Sequence, residues 1–284
     1  MPIIKQPQHS DTDVPLGSRP QLAWTAEEYA HSSGMQFESI YTGLQKHDWN
    51  ACDPFQRILD IGCGNGKATA EMAARLPQST LLGIDISSDK IAFCHQQYLP
   101  YYRNLSFEVM DILSLPERFT DYFDSITAFY CLHWVKDFAL AIHEMHRCLK
   151  AGGQMIICLY GKIPILTELI QQLESQQPST EQQNSYFPST EEVRALAEQT
   201  GLIVEYCAET PYTYTYPNQN ALLEWVISQP YLKNLPDERR LQCLTQAVNT
   251  YVKTQQSIQS EMITIHFPII RCDAHKAPPI LARL

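Results

Sequence analysis

No apolar run in this chain approaches the roughly 20 residues a helix needs to cross a bilayer. No membrane span is therefore expected. The N-terminus lacks the basic-then-apolar order of an export signal; it is polar and proline-bearing up to Pro20. Residues 1–22 read as a loose arm, and the cytoplasm is the expected location. Basic residues are also short: 21 Lys and Arg against 31 Asp and Glu leave a formal charge of −10. Phosphate binding needs a basic face, so a nucleic acid partner is not expected. The nine cysteines are scattered, with no Cys-x-x-Cys pair. Cys131, Cys148, Cys158 and Cys207 fall in predicted strands or helices, where buried free thiols are the expected state. Without a secretion signal, no disulfide framework is expected.

What is present is alternation. Predicted strands at Arg57–Ile61, Thr80–Ile84, Leu105–Val109, Asp124–Tyr130 and Gln154–Tyr160 are separated by predicted helices at Lys67–Arg75, Ser88–Tyr98 and Phe138–Leu149. Lys150-Ala151-Gly152-Gly153 reads as the C-cap of the third helix. Alternating βαβ units imply an α/β fold, a parallel sheet with helices on both faces. Beyond Gly161 the pattern shifts to helices at Ile163–Gln177, 189–200, Gln219–Ser228 and Pro236–Thr254, with strands at Leu202–Cys207 and Glu261–Ile270. Ser189 with Glu192 has capping-box spacing. Tyr212, Tyr214 and Tyr216 alternate, as one face of a strand would.

Within that frame one segment is unusual. The apolar run Ile58–Ile61 carries Asp60 and leads into Gly62-Cys63-Gly64-Asn65-Gly66, and a helix-forming run follows. Glycine permits positive φ and close backbone approach to a ligand. A helix N-terminus beside the loop favours a polar, nucleoside-bearing group. Dinucleotide sites read Gly-x-Gly-x-x-Gly, whereas these glycines alternate strictly and follow an acid. An anion repels a pyrophosphate but favours an ammonium and a sulfonium.

Three further strand ends join this loop at the carboxyl edge of the sheet, where ligands bind in open α/β folds. Asp85, nineteen positions after Gly66, suits a ribose diol, and equally could cap the helix after it. Asp111 suits an amino group on a base, or a turn that satisfies its own loop. The run Phe129-Tyr130-Cys131-Leu132-His133-Trp134-Val135 takes a buried strand into an aromatic loop.

Asp-x-Gly-x-Gly-x-Gly followed by these acids resembles the class I S-adenosylmethionine (SAM)-dependent methyltransferases. The Phe129–Val135 loop, and Tyr29 seven residues before Gln36, are similar to juvenile hormone acid methyltransferases. Ala221–Val226 and Ile265–Ile270 are similar to trans-aconitate methyltransferase, and malonyl-acyl-carrier-protein methyltransferases share the plan. All three esterify carboxylates. The resemblance covers roughly residues 24–272 and is strongest before 161. It implies a Rossmann-like seven-stranded, mostly parallel sheet whose last strand is antiparallel. Residues 23–272 would form one domain, with a cofactor core at 57–160, substrate-covering helices at 163–260, a final strand at 261–272 and a tail at 273–284. It implies SAM as cofactor, S-adenosylhomocysteine as product, and contacts from Tyr29, Asp60, Gly62, Cys63, Gly64, Gly66, Asp85, Ile86, Asp111, Ile112 and Tyr130. Gln36, His133 and Trp134 would stand at the acceptor, a small or acyl-carrier-linked molecule, in a chain able to act as a monomer.

A carboxylate acceptor is already ionised near neutral pH, with a reference pKa of about 4, and needs no general base. The motifs contain one candidate base, His133, and an amine or hydroxyl acceptor would call on it. The remaining alternatives are an N- or hydroxyl O-methyltransferase, a non-catalytic SAM-binding regulator, and an NAD-dependent oxidoreductase, which Asp60 and the glycine spacing oppose. His143 and His146 are three apart on a helix, away from the strand ends, and no metal site is expected.

Overall fold

The computed structural model describes residues 56–161, 164–175, 187–228, 235–255 and 262–278. Five segments form parallel strands: β1 (Arg57–Ile61), β2 (Thr80–Asp85), β3 (Leu105–Val109), β4 (Phe123–Phe129) and β5 (Leu149–Tyr160). Two long strands, β6 (Leu202–Tyr216) and β7 (Ile263–Lys276), complete a seven-stranded sheet in the order β3-β2-β1-β4-β5-β7-β6. β1 to β5 pair in parallel, and β7 runs antiparallel to both β5 and β6. The chain winds from β1 outward to β3, then returns to β4 on the other side of β1. The carboxyl ends of β1 and β4 therefore flank a topological switch point, where such sheets leave a crevice.

Both faces of the sheet are covered. α1 (Lys67–Arg75), α2 (Ser88–Tyr98), α4 (Pro164–Ser175), α6 (Gln219–Ser228) and α7 (Asp237–Gln255) share one core with the sheet, including Met72, Cys94, Ile170, Trp225 and Leu244. α3 (Phe138–Cys148) and α5 (Thr190–Gln199) share the other, with Ile126, Met145, Leu149 and Val193. The mostly parallel sheet and antiparallel last strand are as expected from the sequence.

Three local expectations need correction. α3 ends at Cys148, and Leu149 is its C-cap with an extended backbone (φ −71°, ψ 137°). Gly152, expected to cap that helix, lies inside β5 with φ +80°. There β5 slips against β4, Phe123 facing Leu149 and Ser125 facing Gln154, so the glycine serves a β-bulge. β6 runs nine residues past Cys207. Pro211 inside it is tolerated because β6 is an edge strand.

Candidate cofactor and acceptor site

The glycine loop turns as expected: Gly62, Gly64 and Gly66 have φ of 65°, 58° and 75°, a region that favours glycine. Space enforces the choice at two of them. A Cβ on Gly62 would lie 2.3 Å from the Cβ of Cys131, and one on Gly66 would lie 2.7 Å from the Cys94 sulfur. The loop is tied to the next strand by Cys63 N–H donating to the Ile84 carbonyl at 2.9 Å. Burial pushes the Cys63 thiol well above its usual range, so it packs rather than reacts.

Asp60 is 2% exposed. Its carboxylate accepts from the hydroxyls of Thr69 at 2.6 Å and Thr127 at 2.8 Å. Burial raises its pKa to about 6 against the pull of those two bonds, and the nearby Asp85 adds to the rise. It is therefore an anion at neutral pH, held rigidly under the loop. The two threonines, one on α1 and one on β4, escaped the sequence reading because they stand nine and 67 positions away.

Asp85 also braces the loop. One oxygen accepts from Gly64 N–H at 3.0 Å, the other from Ser87 N–H at 2.9 Å, and the Lys90 ammonium lies 3.6 Å away. A carboxylate has about four acceptor positions, so capacity remains for a diol. Asp111 caps a short 3₁₀ turn (Ile112–Ser114), accepting from Leu113 N–H at 3.0 Å. Ile112 is buried in the core shared with α3. Beside these acids two large apolar side chains stay open, Ile86 and Val109, each 52% exposed. β2 and β3 place Asp85 level with Val109. Acceptors for a ribose beside uncovered apolar surface for a purine, with an anion at the switch point, fit a sulfonium nucleoside.

The carboxyl ends of β4 and β5 are aromatic. Tyr130, just past β4, has φ +53°, an uncommon conformation for a bulky residue. It turns the chain into the 3₁₀ turn Leu132–Trp134, and its N–H donates to the Cys158 carbonyl at 2.8 Å. Its ring lies 4.5 Å from that of Tyr160. His133 is 2% exposed and stacks on Phe187 at 5.7 Å, with Trp134 at 4.8 Å and Tyr160 at 5.7 Å. Burial lowers its pKa to about 3; the imidazole is neutral, and its Nδ1 has no hydrogen-bond partner among the described residues. Trp134 is half-buried. Tyr29 and Gln36 lie outside the described residues. Sequence reasoning missed Tyr160, Phe187 and Phe267 as neighbours of this loop, because they come from separate segments that only the fold unites.

A family model described as "Methyltransferase domain" matches residues 53–247. The juvenile hormone acid O-methyltransferase of Drosophila melanogaster is 33% identical over 149 residues, 49% of this chain and 50% of the relative. The chain thus spans about half that relative's length. The trans-aconitate 2-methyltransferase of an Acidovorax species is 29% identical over 206 residues, 68% of this chain and 77% of the relative. Among solved structures, the Haemonchus contortus phosphoethanolamine N-methyltransferase 2 in complex with S-adenosyl-L-methionine shares the fold. Its TM-score is 0.58 at 18% identity, over 89% of this chain and 56% of that one.

Proposed function

The chain belongs to the methyltransferase-domain family as a SAM-dependent enzyme, and from that premise we propose that it esterifies the carboxylate of a small organic acid. The observation carrying this reading is the state of His133. A histidine buried until its pKa is about 3 is a poor base at neutral pH, so an ammonium or hydroxyl acceptor would keep its proton. A carboxylate has none to lose.

Asp60, Asp85, Asp111 and the glycine loop would hold SAM, which would supply an electrophilic methyl on a sulfonium to the carboxylate oxygen, with a methyl ester and S-adenosylhomocysteine as products. The chain's part is placement. Asp60 presents fixed negative charge, Asp85 and Asp111 present acceptors, and the glycine loop permits close approach. Tyr130, His133, Trp134 and Tyr160 wall the acceptor and exclude water, which strengthens the pairing of carboxylate with sulfonium. His133 offers one neutral N–H to orient the acid. Trans-aconitate 2-methyltransferase and juvenile hormone acid O-methyltransferase, similar over parts of this chain, support an acid acceptor by name.

The test is methyl transfer from labelled SAM to panels of carboxylic acids, acyl-carrier thioesters, amines and alcohols. A product from the acids that releases labelled methanol in mild base supports the ester. A base-stable product formed only from amines or alcohols refutes it.

A further inference from the structure

The edge strand β6 joins the sheet through β7, and one rung of that pairing is chemically distinct. Cys207 of β6 stands directly opposite Cys272 of β7. Residues opposed in an antiparallel ladder have Cα atoms about 4.5–5.5 Å apart. That lies inside the span of roughly 4.4–6.8 Å that a disulfide bridges. Opposed residues also share a face of the sheet. Both cysteines are buried in the core shared with α3 and α5, and their thiols hydrogen-bond to each other. Both are free thiols.

The two sulfurs are not equivalent. Cys272 is fully buried, whereas Cys207 keeps 8% of its surface open, so a small oxidant meets Cys207 first. The bond from the Cys272 thiol lowers the Cys207 pKa against the effect of burial. The Arg194 guanidinium adds to the fall, while Glu191 and Asp273 resist it. Arg194, on α5, is fixed beside this rung by donating to the Cys207 carbonyl at 3.2 Å. While protonated, Cys207 donates to the Thr190 carbonyl at 3.5 Å. The bond to Cys207 and burial together raise the Cys272 pKa. The thiolate is the nucleophile in thiol chemistry, so Cys207 is the thiol prepared to attack. Cys63 and Cys94 offer a contrast, because they too bond to each other. There burial, the Cys94 bond and the charges of Asp85 and Asp60 all push the Cys63 thiol up, and Cys94 donates to the Gly64 carbonyl at 3.4 Å.

We propose that Cys207 and Cys272 form a two-electron oxidation site, with Cys207 the attacking thiol, Cys272 the resolving thiol and hydrogen peroxide the oxidant. The Cys207 sulfur bonds to one peroxide oxygen as the O–O bond breaks, and the departing hydroxide leaves as water with the proton that Cys207 gave up. The Cys272 sulfur then displaces the remaining oxygen. The S–S bond forms, the S–O bond breaks, and the Cys272 proton leaves with the hydroxide as a second water. The disulfide fastens the edge strand covalently to the sheet. Tyr130 and Tyr160 belong to the other core, so this proposal stands or falls apart from the carboxylate reading.

The test treats the reduced full chain with hydrogen peroxide under native conditions, then alkylates and digests it without reduction for mass spectrometry. The Cys207–Cys272 cross-link should form about tenfold faster than Cys63 or Cys94 is oxidised, and dithiothreitol should reverse it. Cys272→Ser should halt at a sulfenic acid on Cys207, trapped by dimedone, and Cys207→Ser should leave Cys272 reduced at the same dose. The cross-link is mapped in the wild-type chain, so a variant that fails to fold does not decide the question. A first disulfide at any other pair overturns the proposal. So does a Cys207–Cys272 link that forms only in urea, or sulfenic acid on Cys272 in folded Cys207→Ser at the rate seen for Cys207.

Discussion

Asp60 combines two demands that conflict. A carboxylate at the switch point attracts a cationic cofactor, yet burial at 2% exposure makes its charge costly. Its folded pKa of about 6 stands above the ordinary 3.8. Protons then bind the folded form more tightly. The resulting destabilisation is absent below about pH 4, grows as pH rises, and is complete above about 6, at roughly 3 kcal/mol. Asp60→Asn should therefore fold at least as stably as wild type at pH 8 by thermal melting, while SAM affinity falls tenfold or more. Wild-type affinity should weaken as pH drops through about 6, and the variant should be flat over that range. Equal SAM binding by both proteins at pH 8 would show that the charge is not used.

His133 gives the second residue-scale expectation. With its pKa near 3, the pH–rate profile should lack a limb near 6.5. His133→Ala should keep more than a tenth of kcat if no proton is removed in the reaction. Loss beyond a thousandfold with SAM affinity intact, checked by calorimetry, would restore a base and with it an amine or hydroxyl acceptor. The glycine turns, and the placement of Asp60, Asp85 and Asp111 at or just past the carboxyl ends of β1, β2 and β3, were legible in the sequence because each short strand ends in a turn signal. Thr69 and Thr127 were not legible, since a hydroxyl on a buried carboxylate leaves no pattern along the chain. Nor was the stacking of Phe187 on His133, which joins residues 54 positions apart.

At the scale of elements, β1, β2 and the carboxyl halves of β4 and β5 were readable because strands buried on both faces appear as nearly continuous apolar runs. The edge strand β3 (Leu105–Val109) was readable from its alternation. β6 was read only to Cys207. Glu209, Thr210 and Pro211 are exposed edge positions and resemble a loop when the partner strand is unknown. The alternating tyrosines beyond them carried the correct period, but periodicity alone did not say which face was covered. The start of α5 was legible in full. Ser189 accepts from Glu192 N–H at 3.2 Å, and the Glu192 carboxylate accepts from Ser189 N–H at 2.7 Å. Ser189→Ala should cost about 1 kcal/mol, read as a shift in denaturation midpoint with unchanged slope. A cost below about 0.3 kcal/mol would mean that packing of Val193 and Ala197 alone holds the helix.

Across the whole molecule, the proposed reading gives donor and acceptor different chemistry. The glycine-loop side would pair fixed carboxylates with a cation. The side proposed for the acceptor has aromatic and aliphatic surface and, among the described residues, no buried cation. On the proposed carboxylate reading, one carboxylate would be balanced by the sulfonium it attacks, and the reaction would neutralise the pair. A tricarboxylate such as trans-aconitate would bring two more charges into apolar surroundings, at high cost. Substrate preference should accordingly follow apolar length. Each buried methylene contributes about 0.8 kcal/mol, or roughly fourfold in kcat/KM. For straight-chain monocarboxylic acids the rise should continue until the available apolar surface is covered and then reverse. Trp225→Ala, which removes a ring packed between Tyr216 and Phe267, should flatten the slope for long acids more than for short ones. A flat response to chain length in the wild-type enzyme, or better turnover of tricarboxylates than of long monocarboxylates, would place the acceptor away from the apolar surface covered by α4, α6 and α7.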